Sequence, residues 1–273
     1  MKNILIEGSA GKPIVLDVFL ADNPQAPLVI FSHGFKGFKD WGAFNIVAQS
    51  FAQEGVSFLK FNFSYNGTTP SDLLNFLDLE AFGNNNFSIE MDDLGLVIDW
   101  AEQNLLDKVD TKQIALLGRS RGGGISILKA REDDRVKKVV SWASVSNFEN
   151  RLPKEKDHIW KERGVAYVYN GRTNQQMPMY YQFREDFYQS QDRLDIPAAA
   201  SSLSTPLLIV HGTADPTVAL SEAHQLKNYV LNSELYLVEG ADHVFNVKHP
   251  LEEIVLSKEL QLVVDKTISF LKG

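Results

Sequence analysis

The stretch QIALLGRSRGGGISILKA, residues 113–130, joins a short apolar run to a pattern of helical spacing through one sharp turn. The apolar run predicts a strand at 113–118, and the spacing after it predicts a helix at 121–131. In the turn, Ser120 stands between two arginines and is followed by three glycines. This arrangement raises the question of why one hydroxyl group lies at the tip of such a turn.

The rest of the chain alternates between short apolar runs and stretches of helical spacing. The runs predict strands at 13–21, 27–34, 56–63, 113–118, 136–144, 205–212 and 233–240. The helical spacing predicts helices at 41–55, 88–105, 121–131, 218–230 and 252–273. We expect Ser88 to cap the second helix. The alternation predicts a mostly parallel sheet with helices on both faces, and such sheets carry functional groups at the carboxyl ends of their strands.

The residues around Ser120 explain its position. GRSRG, at 118–122, matches the pattern G-x-S-x-G, in which a serine occupies a strand-to-helix turn. Flanking glycines leave room for a crowded backbone, and the serine takes a strained conformation that projects its hydroxyl. The helix that begins behind it offers free N–H groups to a developing negative charge. We therefore predict Ser120 as a nucleophile.

A serine nucleophile needs a base, and the base needs a carboxylate that orients it. HGTADPTV places Asp215 in a turn after one predicted strand, and GADHVF places His243 in a loop after the last strand. Asp242 is the rival carboxylate, but it is the chain neighbour of His243 and is badly placed to reach the far ring nitrogen. The predicted catalytic residues are therefore Ser120, Asp215 and His243.

A fourth motif, SHGFKG, also follows a predicted strand. We expect the backbone N–H groups of Phe35, in this motif, and of Arg121 to form an oxyanion hole. The pieces HGF, GRSRGG, HGTADPTV and GADHVF resemble the α/β-hydrolases related to dienelactone hydrolases, prolyl-oligopeptidase catalytic domains and feruloyl or cinnamoyl esterases. The order Ser, Asp, His is the chain order of α/β-hydrolases. The resemblance runs from about residue 27 to the C-terminus, the segment 147–205 excepted, and implies the α/β-hydrolase fold.

Residues 147–205 separate two predicted strands by far more than a usual connection. The segment is rich in aromatic residues, and the stretches RLPKEKDHIWKERG and PMYYQFREDFYQSQDRLD resemble helical turns. We predict a cap or lid here, inserted into a core of residues 1–146 and 206–273; the alternative is an extra pair of packing or dimerisation helices. The candidate substrate contacts among the aromatic residues are Tyr65, Trp160, Tyr180 and Tyr181.

The two arginines beside Ser120 admit two interpretations. In the first, a guanidinium binds a carboxylate of the substrate, and Arg119 is the candidate. In the second, internal acids such as Glu149 or Asp72 hold both side chains, or the arginines only raise the positive potential at the helix start. Related esterases often carry histidine and glutamine at these two positions, so the resemblance does not determine the acyl or alcohol group of the substrate.

The composition of the 273-residue chain bears on other classes of protein. Its net charge of −8 argues against nucleic-acid binding. It contains no cysteine, so disulfides, thiolate metal sites and a cysteine nucleophile are excluded. We expect no metal or organic cofactor, no membrane partner, and a monomer or homodimer that acts on a small-molecule ester. We expect a cytoplasmic protein, with an exported form that has lost its signal peptide left open.

The function favoured by these residues is carboxylic ester hydrolysis through an acyl-enzyme. Prolyl-oligopeptidase-like peptidases resemble the core, but they usually carry a β-propeller before it, and about 25 residues precede PLVIFSHG here. A thioesterase or acyltransferase stays open. A non-catalytic small-ligand-binding protein on the same fold predicts a degraded triad, whereas this triad is intact. A further alternative is that GRSRGGG forms a phosphate-binding turn, but this stretch lacks the Lys-Ser/Thr end of a P-loop.

Overall fold

An eight-stranded sheet forms the centre of the protein, for which the computed structural model describes residues 1–152 and 157–273. In spatial order the strands are β1 (Ile4–Glu7), β2 (Pro13–Phe19), β4 (Ser57–Asn62), β3 (Pro27–Ser32), β5 (Asp110–Arg119), β6 (Val136–Trp142), β9 (Leu207–Gly212) and β10 (Ser233–Val238). The pairs β1–β2 and β2–β4 are antiparallel, and every later pair is parallel. The sheet is mostly parallel, as the sequence predicts. The short strand β1 alternates half-buried and exposed residues and was not predicted.

Helices cover both faces of this sheet. One face carries α1 (Phe44–Gln53) and α9 (Lys258–Lys272). The other face carries α3 (Phe87–Asn104), α4 (Arg121–Glu132) and α8 (Leu220–Tyr229). Strands β4 and β9 are buried along their whole length, which explains why they read as apolar runs without alternation.

Two predicted helix starts are wrong. Asn86 caps α3, because its backbone is extended and its side chain accepts the N–H of Ile89 at 2.8 Å. Ser88 is already inside the helix, where its own N–H donates to Asp186. The last helix begins at Lys258 rather than at residue 252, and Ser257 caps it. Each boundary is therefore set by the residue whose side chain satisfies a free N–H group.

The segment 147–205 is not purely helical. It contains α5 (Asp157–Arg163), α6 (Gln182–Gln189), α7 (Ile196–Ser201) and an antiparallel hairpin of β7 (Val165–Asn170) and β8 (Gln175–Tyr180). The prediction of helical turns from residue 178 onward is thus wrong for Pro178–Tyr180, which belongs to β8. Part of the first predicted helical stretch, residues 153–156, lies outside the described residues.

The segment packs against α3 and α4 in a shared hydrophobic core. Trp160, Met179, Phe183 and Phe187 are buried in the same cluster as α3 and α4. Phe87 lies between them, with its ring 4.6 Å from that of Phe183. The remaining short helix is α2 (Leu79–Asn84), which contacts β8. Within the part of the chain that the structure describes, no helix combines the length and apolar character needed to cross a membrane.

Candidate active site

A cavity of about 520 Å³ lies at the carboxyl ends of the central strands. Ser120 and His243 line it, together with Phe35 and Arg121. These residues come from the loops after β5, β10 and β3 and from the start of α4. The parallel strands bring these loops together, because their carboxyl ends meet at one edge of the sheet.

The backbone around Ser120 is strained and crowded. Ser120 has φ 56° and ψ −120°, a left-handed conformation that a residue with a Cβ rarely adopts. A Cβ at Gly118 would lie 2.0 Å from the carbonyl oxygen of Gly122, and a Cβ at Gly122 would lie 2.3 Å from that of Ser32. Both positions therefore require glycine. The N–H of Ser120 donates to the carbonyl of Trp142 at 2.9 Å, which ties the turn to β6.

The structure brings Ser120, His243 and Asp215 together. Nε2 of His243 lies 3.1 Å from Oγ of Ser120, and Nδ1 lies 2.7 Å from Oδ2 of Asp215. The other oxygen, Oδ1, accepts the backbone N–H groups of Thr217 and Val218 at 2.8 and 2.9 Å. The carboxylate is thereby fixed in a turn that aims it at the imidazole. The three side chains have the geometry of a nucleophile, a base and an orienting acid.

Asp215 is held in its charged form. Its side chain is fully buried, and burial alone would raise its pKa. Hydrogen bonds from His211, His243 and the backbone of Val218 outweigh that effect, so the pKa lies well below its usual range. The rival carboxylate, Asp242, is engaged by its own loop, because its Oδ1 accepts the N–H groups at positions 244 and 246.

His243 is held in its neutral form at neutral pH. Burial lowers its pKa below the usual 6.5, and the nearby charge of Arg119 lowers it further. The hydrogen bond and charge of Asp215 act in the opposite direction without reversing the shift. Because a neutral imidazole with Nδ1–H donated to Asp215 leaves Nε2 as an acceptor, the ring is ready to take a proton from Ser120.

The two predicted oxyanion residues, Phe35 and Arg121, both line the cavity with Ser120. Arg121 is the first residue of α4, so its N–H is one of those that no helix carbonyl accepts. Its guanidinium lies 4.2 Å from the ring centroid of Phe35 and pairs with the buried Glu90 at 3.2 Å. This contact links the side chains of the two residues. An internal acid therefore does hold Arg121, although the residue is Glu90.

Arg119 lines the cavity, and its guanidinium is held by contacts with other protein groups. Its Nη2 donates to the carbonyl of His243 at 3.0 Å, and the guanidinium lies 5.3 Å from the Trp41 ring centroid. Burial lowers its pKa to about 10, while the charges of Asp215 and Asp242 act to raise it. Arg119 is thus placed both to support the histidine loop and to face the cavity.

The other four substrate-contact predictions are not supported by the structure, because none of these side chains lines the cavity. The Tyr65 hydroxyl donates to the carbonyl of Ala10, on another loop. Trp160 is buried and donates to the carbonyl of Met179 at 2.8 Å. The remaining two are Tyr180, whose hydroxyl donates to Glu80 at 2.5 Å, and Tyr181, whose ring packs edge-on against Trp160. Trp160 and Tyr181 thus make contacts within the segment 147–205, and Tyr180 ties that segment to α2.

Several further residues that line the cavity were not predicted. They are Lys36, Trp41, Arg151, Val168, Asn170, Arg172 and Met179. Arg151 ends a short 3-10 helix, whereas the last four belong to the β7–β8 hairpin and its turn, for which the sequence shows no motif. Across residues 1–152 and 157–273, no group of three or more metal-ligating side chains is placed to hold a metal ion.

Comparison with known proteins assigns the family and the fold. The chain matches the prolyl oligopeptidase family over residues 45–261. Over 121 residues, 44% of this chain and 37% of the relative, it is 33% identical to an uncharacterized 31.7 kDa protein from the traX-finO intergenic region of Escherichia coli. The chain thus spans little more than a third of that curated relative.

Two solved structures share the fold. Est1E from Butyrivibrio proteoclasticus, with ferulic acid bound, has a TM-score of 0.77 and 19% identity over 98% of both chains. Alpha/beta hydrolase domain-containing protein 10 from mouse has a TM-score of 0.71 and 14% identity, also over 98% of both chains. The predicted α/β-hydrolase fold is confirmed, as is the predicted resemblance to the group that includes prolyl-oligopeptidase catalytic domains.

Proposed function

The chain belongs to the prolyl oligopeptidase family, and from this premise we propose that it is a serine hydrolase that cleaves a carboxylic ester through an acyl-enzyme. The observation that carries the proposal is the continuous hydrogen-bonded chain from Ser120 Oγ through His243 to Asp215. The strained backbone at Ser120 adds support, since such strain is kept where a surrounding structure and a function require it.

In the first half-reaction, Oγ of Ser120 forms a bond to the ester carbonyl carbon while Nε2 of His243 takes its proton. The carbonyl oxygen becomes an oxyanion, which the N–H groups of Phe35 and Arg121 stabilise. The bond to the alkoxide then breaks, and His243 gives its proton to the departing alcohol. Asp215 keeps the ring oriented and stabilises the imidazolium that forms in between.

In the second half-reaction, water attacks the acyl carbon and gives its proton to Nε2 of His243. The bond to Ser120 breaks, Oγ recovers the proton from the ring, and the free acid leaves. The depressed pKa of His243 suits this cycle, because the ring must be neutral at the start of each half-reaction.

Ester cleavage is favoured over peptide cleavage by the lining of the cavity. A peptide is a chain of polar amide groups, each of which needs a hydrogen-bond partner when it is buried in a cavity. Aromatic and aliphatic side chains, among them Phe35, Trp41 and Met179, suit an apolar acyl or alcohol group instead. Est1E, a protein of the same fold, holds ferulic acid, an aromatic acid of the size such a cavity accepts.

The segment 147–205 acts in this proposal as a cap on a core of residues 1–146 and 206–273. Its hairpin supplies Val168 and Met179 to the wall of the cavity that Ser120 and His243 also line. The cap therefore shapes the cavity and excludes water from part of it, which strengthens the electrostatic interactions inside.

The test is hydrolysis of p-nitrophenyl esters of increasing acyl length, of methyl ferulate and of peptide p-nitroanilides. We expect ester hydrolysis by the wild type, its loss in Ser120→Ala, and its retention in Ser202→Ala, which changes an exposed serine at the end of α7. Faster cleavage of the anilides than of the esters would favour a peptidase. A folded wild-type protein without activity on any ester, or a Ser120→Ala variant as active as the wild type, contradicts the proposal.

A further inference from the structure

The charged side chains that line the cavity are all of one sign. Lys36, Arg119, Arg121, Arg151 and Arg172 line it, and among the described lining residues there is no Asp or Glu. The whole chain, by contrast, carries a net charge of −8. A cation-lined cavity in an acidic protein focuses a positive potential on whatever enters it. The next question is which of these cations are free to meet a ligand.

Three of the five are engaged by protein groups. Arg121 pairs with Glu90, and Arg151 pairs with Glu222. Arg119 donates to the carbonyl of His243 and feels the charges of two nearby aspartates. These three arginines therefore have structural partners that account for their positions.

Lys36 and Arg172 differ from the other three. Lys36 Nζ donates to the carbonyl of Tyr169 at 3.1 Å, and Arg172 Nη2 donates to the carbonyl of Leu74 at 2.9 Å. No ion pair joins either side chain to a carboxylate of the described residues. The charge of Asp72 raises the pKa of Arg172, but the Asp72 carboxylate makes its hydrogen bonds with Asn75 and the backbone. Neither cation thus forms an ion pair with a described carboxylate, although the charge of Asp72 acts on Arg172.

The same loop positions both groups. Lys36 donates to the carbonyl of Tyr169, near the end of β7, and the backbone N–H of Arg172 donates to Oδ1 of Asn170, two residues earlier. The Arg172 guanidinium also lies 5.1 Å from the Phe38 ring centroid and 5.4 Å from that of Phe76. The half-buried lysine and the exposed arginine therefore both line the cavity beside the β7–β8 hairpin.

We propose that Lys36 and Arg172 bind a carboxylate of the substrate, so that the ester cleaved at Ser120 has an apolar body and an anionic end group. This inference rests on the proposed function for the bond that is cleaved. A guanidinium offers a fork of donors to a carboxylate, and the ammonium adds a point charge. Burial lowers the pKa of both cations, and at Arg172 the charge of Asp72 offsets this effect only in part, so neither cation has a full compensating charge. A bound carboxylate supplies that charge.

The experiment compares matched esters that differ in one charge. The substrates are the mono-p-nitrophenyl esters of adipic and suberic acid, and the p-nitrophenyl esters of the corresponding monomethyl adipate and suberate. We expect the ratio of kcat/KM, anionic over neutral, to exceed 10 for the wild type at low salt, roughly the effect of one charge-assisted hydrogen bond. We expect Lys36→Met and Arg172→Gln each to lower this ratio about tenfold, and added salt to lower it in the wild type.

Two matched controls remove a charge elsewhere. Lys112→Met changes an exposed lysine at the amino end of β5, and Arg163→Gln changes an exposed arginine at the end of α5. We expect both to keep the wild-type ratio within about twofold, because neither side chain lines the cavity and solvent ions screen exposed charges. A ratio near 1 in the wild type, or a fall as large in the controls as in Lys36→Met, overturns the inference.

A binding measurement separates this inference from the proposed function. Calorimetry on Ser120→Ala measures the affinity for monomethyl suberate, an anion, and for dimethyl suberate, its neutral counterpart. Tighter binding of the anion that disappears with Lys36→Met and Arg172→Gln supports the anion site, even if the wild type hydrolyses no ester. Equal binding of the two ligands refutes the anion site, even if the wild type is an active esterase.

Discussion

The strained turn at Ser120 allows a test that separates backbone conformation from chemistry. At φ 56° and ψ −120°, a residue with a Cβ is strained by about 1–3 kcal/mol. Glycine relieves this strain but loses about 0.5–1 kcal/mol through the greater freedom of the unfolded chain. Ser120→Ala keeps the Cβ and the strain, so it is the matched control. Both variants lose the hydroxyl that contacts His243.

The difference predicts that Ser120→Gly is more stable than Ser120→Ala by about 0.5–2 kcal/mol. For a chain of 273 residues, 1 kcal/mol corresponds to about 2 °C in melting temperature, so we expect a gain of about 1–4 °C. Differential scanning calorimetry and urea unfolding measure it, and the urea m-value should be equal in the two variants. A glycine variant that melts at or below the temperature of the alanine variant refutes the conclusion that the turn is strained.

Three further predictions concern the base, its orienting acid and the cap. Burial and the charge of Arg119 lower the pKa of His243, so kcat/KM should fall only as the pH drops through a value below 6.5. Arg119→Met removes that charge, and it should therefore move the acidic limb of the pH–rate profile to higher pH. Asp215→Asn should lower kcat about 1,000- to 10,000-fold in ester hydrolysis, whereas Asp242→Asn should stay within about tenfold of the wild type. Trp160→Phe should cost about 1–3 kcal/mol in urea unfolding, because a buried carbonyl loses its donor at 2.8 Å.

A specific result would contradict each of these three predictions. An acidic limb that Arg119→Met leaves in place would mean that this charge does not act on His243. Equal losses of kcat in Asp215→Asn and Asp242→Asn would mean that the hydrogen bond between Asp215 and the imidazole has no special role. A Trp160→Phe variant as stable as the wild type would mean that the buried carbonyl finds another partner.

The core of the fold could be predicted because its signals are local. Inner parallel strands such as β3 and β9 are buried on both faces and read as apolar runs, and each covering helix shows its own spacing. Ser120 was found because the glycines at 118 and 122 are required by contacts shorter than any Cβ allows. Asp215 and His243 were found because their motifs follow strands, and parallel strands end at one edge.

The internal structure of the segment 147–205 could not be predicted in the same detail. Aromatic residues such as Trp160 and Tyr181 read equally well as core or as cavity wall, and the structure places them in a core. The hairpin that carries Val168 and Met179 into the cavity has no turn motif of the two-residue type, since four residues, 171–174, join its strands. The approach of Lys36 to this hairpin joins positions 133 residues apart, which no local pattern encodes.

The N-cap residue of α3 also could not be predicted from the sequence. Asn86 and Ser88 are both residue types that cap helices, and the sequence offers no means of choosing between them. The choice depends on which backbone is extended, and that is fixed by the turn that leads into the helix from α2.

The central claim is that Ser120 is an activated nucleophile in this cavity. Treatment with a fluorophosphonate, followed by intact-mass and peptide-level mass spectrometry, tests it without any knowledge of the substrate. The account predicts one adduct per chain, located on Ser120, absent from Ser120→Ala and formed much more slowly in Asp215→Asn. A folded wild-type protein that stays unlabelled, or an adduct on another residue, would contradict it.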